Sequence, residues 1–171
     1  MLRFFLVFVF IQVMLFSTEL LQPVQAALVI PWTEGVAALS TWLIQTFDSR
    51  VLVEGVVIRS LDSGFAVEIR AGCNGVEASI ILAAAIFAFP HAPLQHKLTG
   101  FLLGFSTVQL LNLLRIISLF YIGQWNKSLF DWAHLYLWEV LIMLDVLIIF
   151  LLWISYLPRP AVLVPPQPSN G

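Results

Sequence analysis

The chain has 171 residues, of which 60% are hydrophobic and 11% charged, with a formal net charge of −2. A soluble domain carries about 25% charged residues, so water leaves this much apolar surface nowhere to hide and lipid must be part of the solvent. One domain is expected at this length; the absence of a dense basic patch argues against nucleic acid as a partner, and the single cysteine excludes both an internal disulfide and exchange between paired thiols.

Met1-Leu2-Arg3 is a short cationic start, and Phe4 to Phe16 is apolar apart from Gln12. That run is shorter than the roughly 20 residues of a full span. It reads either as a signal-peptide core, with Val24-Gln25-Ala26 as a small-residue cleavage pattern, or as a transmembrane anchor over residues 1–22 prolonged by Leu20 and Leu21. Both readings keep Arg3 in the cytoplasm and send the next segment outside.

Residues 23–72 form the expected external segment. Pro31-Trp32-Thr33-Glu34 has the composition of a helix start with Thr33 as cap. Gly35 to Phe47 then reads as a helix on the membrane surface or packed on the bundle, rather than a span. Val51 to Arg70 is rich in β-branched residues, and Phe65 to Arg70 alternates with a strand period. Asp62-Ser63-Gly64 is a turn signal between two such runs. A small external β-hairpin is predicted directly before Cys73. It either caps the bundle or offers an edge to an extended peptide.

Three apolar runs follow, predicted as helices over about 74–90, 98–122 and 129–156, so that the main membrane unit spans 23–157. Pro90 and Pro93 end the first. Ser128 and Asp131 fit a capping box at the start of the last, and Pro158 stops it. Residues 158–171 hold five prolines and read as a disordered cytoplasmic tail. The fold class is an all-α polytopic membrane protein with about four transmembrane helices and an external β-hairpin before the second. Starting inside, these crossings put 18–72 and 123–128 outside, and 91–97 and the tail inside.

The crossings bring three residues far apart in sequence to one membrane face. Cys73 precedes the outer end of the second helix, Arg115 lies near the outer end of the third, and His134 lies in the first two turns of the fourth. A lone cysteine is often only a small buried hydrophobe, and a histidine near a helix start is often a packed side chain. Arg115 is different, because a cation inside a span costs about 2.5–3.5 kcal/mol even on the lenient insertion scale, and its default reading is functional or paired. Together the three fit thiol chemistry. A cysteine near a helix start and a cation can ionise, His134 can take and return its proton, and Arg115 can neutralise an oxyanion away from water. Asn74, Asn112 and Glu77 are candidate supports: Asn74 as a cap or an orienter of His134, Asn112 one turn before Arg115, and Glu77 four residues from Cys73. Glu139 falls on the other side of its helix, and Asp145 lies three turns below His134. His91 and His96 lack a partner acid, so no metal or cofactor is expected. The competing reading is a non-catalytic membrane assembly or transport subunit with Arg115 ion-paired to Asp145 or Glu77.

Ala-Gly-Cys73-Asn74-Gly75-Val-Glu, Leu-Asn112-Leu-Leu-Arg115-Ile and Trp-Ala-His134 in this order resemble the exosortase/archaeosortase family. Pro-Trp-Thr-Glu and the small size resemble its exosortase H branch. The resemblance covers about 30–171. It implies a multi-pass enzyme of the bacterial inner membrane with its site facing the periplasm, a cysteine protease and transpeptidase. Its partners would be the lipid bilayer, exported proteins ending in a short motif, a transmembrane helix and a basic end, and a surface acceptor. By position, Cys73 would be nucleophile, His134 acid and base, and Arg115 the oxyanion partner. The Cys/His/Arg set is also similar to that of the soluble β-barrel sortases. The branch implies an Ile-Pro-Thr-Leu-type signal. Many exosortases have more spans than the four expected here.

Overall fold

A computed structural model describes residues 2–90 and 92–157. His91 and the tail expected to be disordered, 158–171, lie outside them. The elements in chain order are α1 (Leu2–Glu19), α2 (Gln22–Gln45), β1 (Val51–Glu54), β2 (Val57–Ser60), β3 (Ala66–Glu68), α3 (Val76–Ala88), α4 (Leu94–Trp125) and α5 (Lys127–Ser155).

Among the described residues four helices are long and apolar enough to cross a membrane: α1, α2, α4 and α5. The number agrees with the sequence expectation, but the set does not. The expected span at 74–90 is the 13-residue α3, about 20 Å long at 1.5 Å per residue. The long apolar helix missed by sequence is α2. Pro31 reads as a helix start, yet it lies inside α2, just after a π-helical turn over Gln25–Val29. A proline cannot donate to the carbonyl four residues back and its ring crowds that carbonyl; the wider π turn relaxes the ladder there. Thr33 is accordingly no cap. Its hydroxyl donates to Val29 O at 2.7 Å, within the helix.

Two larger apolar cores are stacked along the molecule, and a third, smaller one joins Leu119, Ala133 and Trp138. In the membrane half, Ala78, Leu82 and Ile86 of α3 meet Val108 of α4 and Val146 and Trp153 of α5, and α1 packs along α3. Aromatic rings close the far end: Phe4 lies against Phe89 and Phe150, and Phe89 against Trp153. Lys97 caps the end of α3, its Nζ donating to Phe87 O at 2.8 Å. In the other half, Val36, Ala37 and Ile44 of α2 pack with the sheet and with Leu113, Ile116 and Phe120 of α4. The partners of α2 therefore place it beside the upper turns of α4 and the sheet, although its length would suffice for a crossing.

The sheet has three antiparallel strands in the order β1-β2-β3, not the two of a hairpin. The extra reversal is at Gly55, whose φ of 59° suits glycine; the expected turn at Asp62-Ser63-Gly64 joins β2 to β3. The cap of α5 also differs from the capping box. Asn126, not Ser128, accepts from Leu129 N–H at 3.0 Å.

Candidate active site

The loop Arg70 to Gly75 lies at the seam between the two cores and begins α3. Gly72 and Gly75 have φ of 81° and 77°, a region that a side chain strains. Their reversals turn Cys73 towards α4 and α5. The loop is tied down from both sides. Trp32 Nε1 donates to Asn74 O at 3.2 Å, and the buried Asn74 amide donates to Thr33 Oγ1 at 3.1 Å. Asn74 Oδ1 accepts from Val76 N–H at 3.0 Å, just before the first turn of α3. From α4, Gln109 Nε2 donates to Gly75 O at 3.2 Å. The N-cap position of α3 is Gly75, without a side-chain cap bond, and the Asn74 side chain goes to Thr33 and Val76, not to His134.

Cys73, Arg115 and His134 are brought together. Cys73 Sγ is 3.2 Å from His134 Nε2. Arg115 Nη2 donates to Sγ at 3.5 Å, and Nη1 donates to Gly72 O at 3.1 Å. The guanidinium is only 1% exposed, and its Nε has no partner. The ion-pair alternative is corrected here: the ion pairs among the described residues are Arg50–Asp62, Arg70–Glu68 and Lys127–Asp131, none involving Arg115, Asp145 or Glu77. Glu77 instead accepts from Gly72 N–H. Asn112 is fully buried, and neither polar atom of its amide has a partner.

His134 lies in a π-helical turn, Ala133–Leu137, where Trp138 N–H bonds to Ala133 O, five residues back. The ring is stacked on Phe130, with centroids 5.7 Å apart and planes 11° from parallel. The extra residue in this turn shifts everything after it around the helix. That is why Glu139, expected to point away, shares a groove with Gly72, Gly75 and Glu77. No signal in the sequence announces such a turn. The roles of Trp32, Thr33 and Gln109 in holding the loop were also missed. The Trp32 ring lies against Phe105, and its N–H belongs to the loop.

The sulfur faces a cavity of about 610 Å³ walled by Phe65 to Ala71, Arg115, Ile116, Leu119, Phe130 and His134. Burial pushes the Cys73 thiol above its ordinary range; Arg115 pulls it back, and Glu77 and Glu139 push it further up. Proximity to the cation pulls the thiol down, and burial, the larger influence, sets the net direction upwards. Loss of hydration outweighs it. His134 Nε2, 3.2 Å away, is placed to exchange a proton with the sulfur.

A family model described as transmembrane exosortase matches residues 1–154. No match was found among curated proteins or solved structures.

Proposed function

The chain belongs to the transmembrane exosortase family, and on that premise we propose that it is a cysteine transpeptidase acting on C-terminal sorting signals of exported proteins. Membership of the family gives a multi-pass membrane protein with a transpeptidase-type role. The observation that supports the cysteine chemistry is the approach of Cys73 Sγ to within 3.2 Å of His134 Nε2, with Arg115 Nη2 at 3.5 Å from the same sulfur.

As Sγ attacks the substrate carbonyl carbon, its proton passes to His134 Nε2 and the carbonyl π pair moves onto oxygen. Arg115 neutralises the developing oxyanion in a site with little water, where one positive charge acts strongly. The C–N bond then breaks, and the imidazolium gives its proton to the departing amine. A thioester on Cys73 remains. An acceptor nucleophile attacks it, His134 takes the acceptor's proton, and that proton returns to the sulfur as the C–S bond breaks. Water in place of the acceptor makes the same cycle a proteolysis. The substrates are proteins ending in an Ile-Pro-Thr-Leu-type motif, a membrane helix and a basic end, and the site opens to the periplasmic face of a bacterial inner membrane.

Cys73→Ala is expected to abolish processing of a protein carrying such a signal. A His134→Ala variant is expected to accumulate, slowly, an acyl-enzyme visible as a mass increment on the Cys73 peptide. Unchanged processing by Cys73→Ala would remove the enzyme reading. For the membrane face, an impermeant thiol reagent should reach Cys73 from the same side as an Asn126→Cys control placed in a Cys73→Ala background.

A further inference from the structure

Because the sheet order is β1-β2-β3, β3 has one unpaired edge. Its pairing with β2 uses alternate residues: Phe65 O accepts from Ser60 N–H, Ile69 N–H donates to Val56 O, and Val67 stands opposite Ile58. In an antiparallel ladder the residues between these turn their N–H and C=O groups to the other side. Here they are Ala66 and Glu68. Their side chains do not blunt the edge in the usual way: Ala66 is small, and Glu68 is engaged with Arg70 at 2.6 Å.

The same stretch, Phe65 to Ala71, forms one wall of the cavity that contains Cys73, Arg115 and His134. Ile116, Leu119 and Phe130 face it from α4 and α5. An open edge, a facing apolar wall and a nucleophile five residues beyond Glu68 on the same chain make a track rather than an isolated pocket. We propose that this cavity binds the substrate as an added strand. An extended stretch on the N-terminal side of the bond to be cut pairs with the free edge of β3 and runs parallel to it. Main-chain bonds give affinity without regard to sequence, and alternate side chains enter the apolar wall.

The direction follows from where β3 begins and ends. Phe65 packs on Phe120 and Phe130 in the outer core, whereas Cys73 lies at the seam with the membrane half, beside Arg115. A polypeptide whose next segment enters the bilayer runs the same way as β3. The inference rests on the proposed function, since it takes the ligand to be the peptide that Cys73 cuts.

The test uses the purified full chain and synthetic peptides with an Ile-Pro-Thr-Leu stretch, an apolar helix and a basic end. Single backbone amides on both sides of the cut are N-methylated in turn, and the loss is expected before it. The expected kcat/KM falls by about twofold to tenfold for each hydrogen bond removed, at every second residue, with little change between. Ala66→Pro removes only the outward N–H, and proline is tolerated on an edge strand. It is expected to lower kcat/KM by a similar factor while iodoacetamide alkylates Cys73 at the wild-type rate, which shows the site intact. A scan with no alternation, or alternation confined to residues after the cut, overturns strand pairing while Cys73-dependent cleavage leaves the function standing. Photo-cross-linking from position 66 to a second copy of the chain instead of to the peptide also overturns it. Peptide that is not cut, or is cut equally by Cys73→Ala, removes the function and the pairing together.

Discussion

Arg115 sits almost wholly out of water with no carboxylate beside it, and it spends two of its donors on Gly72 O and Cys73 Sγ. An unpaired buried cation is expensive, so the site is built to receive negative charge. It is also the one group that pulls the Cys73 thiol down against burial. Arg115→Gln should therefore raise the thiol further, and the rate of iodoacetamide alkylation against pH should shift to higher pH than in the wild type. The wild-type profile should itself lie above that of free cysteine, whose value is about 8.5. The sign for stability follows: a thiol whose folded value exceeds its unfolded one holds its proton more tightly in the native state, so stability falls as pH rises through that window. Turnover in Arg115→Gln should fall by about 10²–10³, the loss typical of one oxyanion donor. Asn112 makes a different case. Its amide is buried without partners, a condition that costs about 1–3 kcal/mol. Asn112→Leu should thus raise the temperature of thermal unfolding in detergent, and a drop would show that something holds the amide.

At the scale of elements, the loop before α3 depends on two left-handed glycines with different surroundings. A methyl group at Gly72 would meet nothing within 4 Å, whereas at Gly75 it would come 2.7 Å from the Gln109 side chain. Gly72→Ala should cost only the backbone term of about 1–2 kcal/mol. Gly75→Ala should cost more, through displacement of Gln109 from Gly75 O and Ser79 Oγ. Thermal unfolding and turnover of the two variants side by side check the order; equal effects would mean that Gln109 moves freely. Elements also mark where sequence stopped being legible. The glycines, the strand period of Phe65 to Arg70 and the meeting of residues 73, 115 and 134 are local or topological, and each could be read. The two π turns could not. One lets α2 run through Pro31, and the other rotates Glu139 towards the loop; both depend on tertiary packing that leaves no local pattern. The cap at Asn126 was hidden by an equally good signal at Ser128.

At the scale of the molecule, the site occupies the boundary between a membrane core and an outer core, and α4 runs unbroken through both. Glycines on α4 set how closely each half packs. A methyl group at Gly104 would lie 2.7 Å from Leu82 of α3 and 3.0 Å from Ile149 of α5, and one at Gly123 would collide with the Phe65 ring. Gly123→Leu should lift the sheet from α4, seen as faster proteolysis between residues 46 and 72 with the membrane half still protected. Gly104→Leu should do the reverse, loosening α3 and α5 first; identical digestion patterns would mean the halves unfold as one.

The brevity of α3 has a consequence for the surrounding lipid. Its 13 residues give about 20 Å, against a hydrocarbon thickness of about 30 Å, so lipid bordering α3 near Cys73 is expected to pinch inwards. Hydrophobic mismatch of this kind costs a fraction of a kcal/mol per ångström. Vesicles of shorter acyl chains relieve the pinch, and turnover after reconstitution should rise as chain length falls.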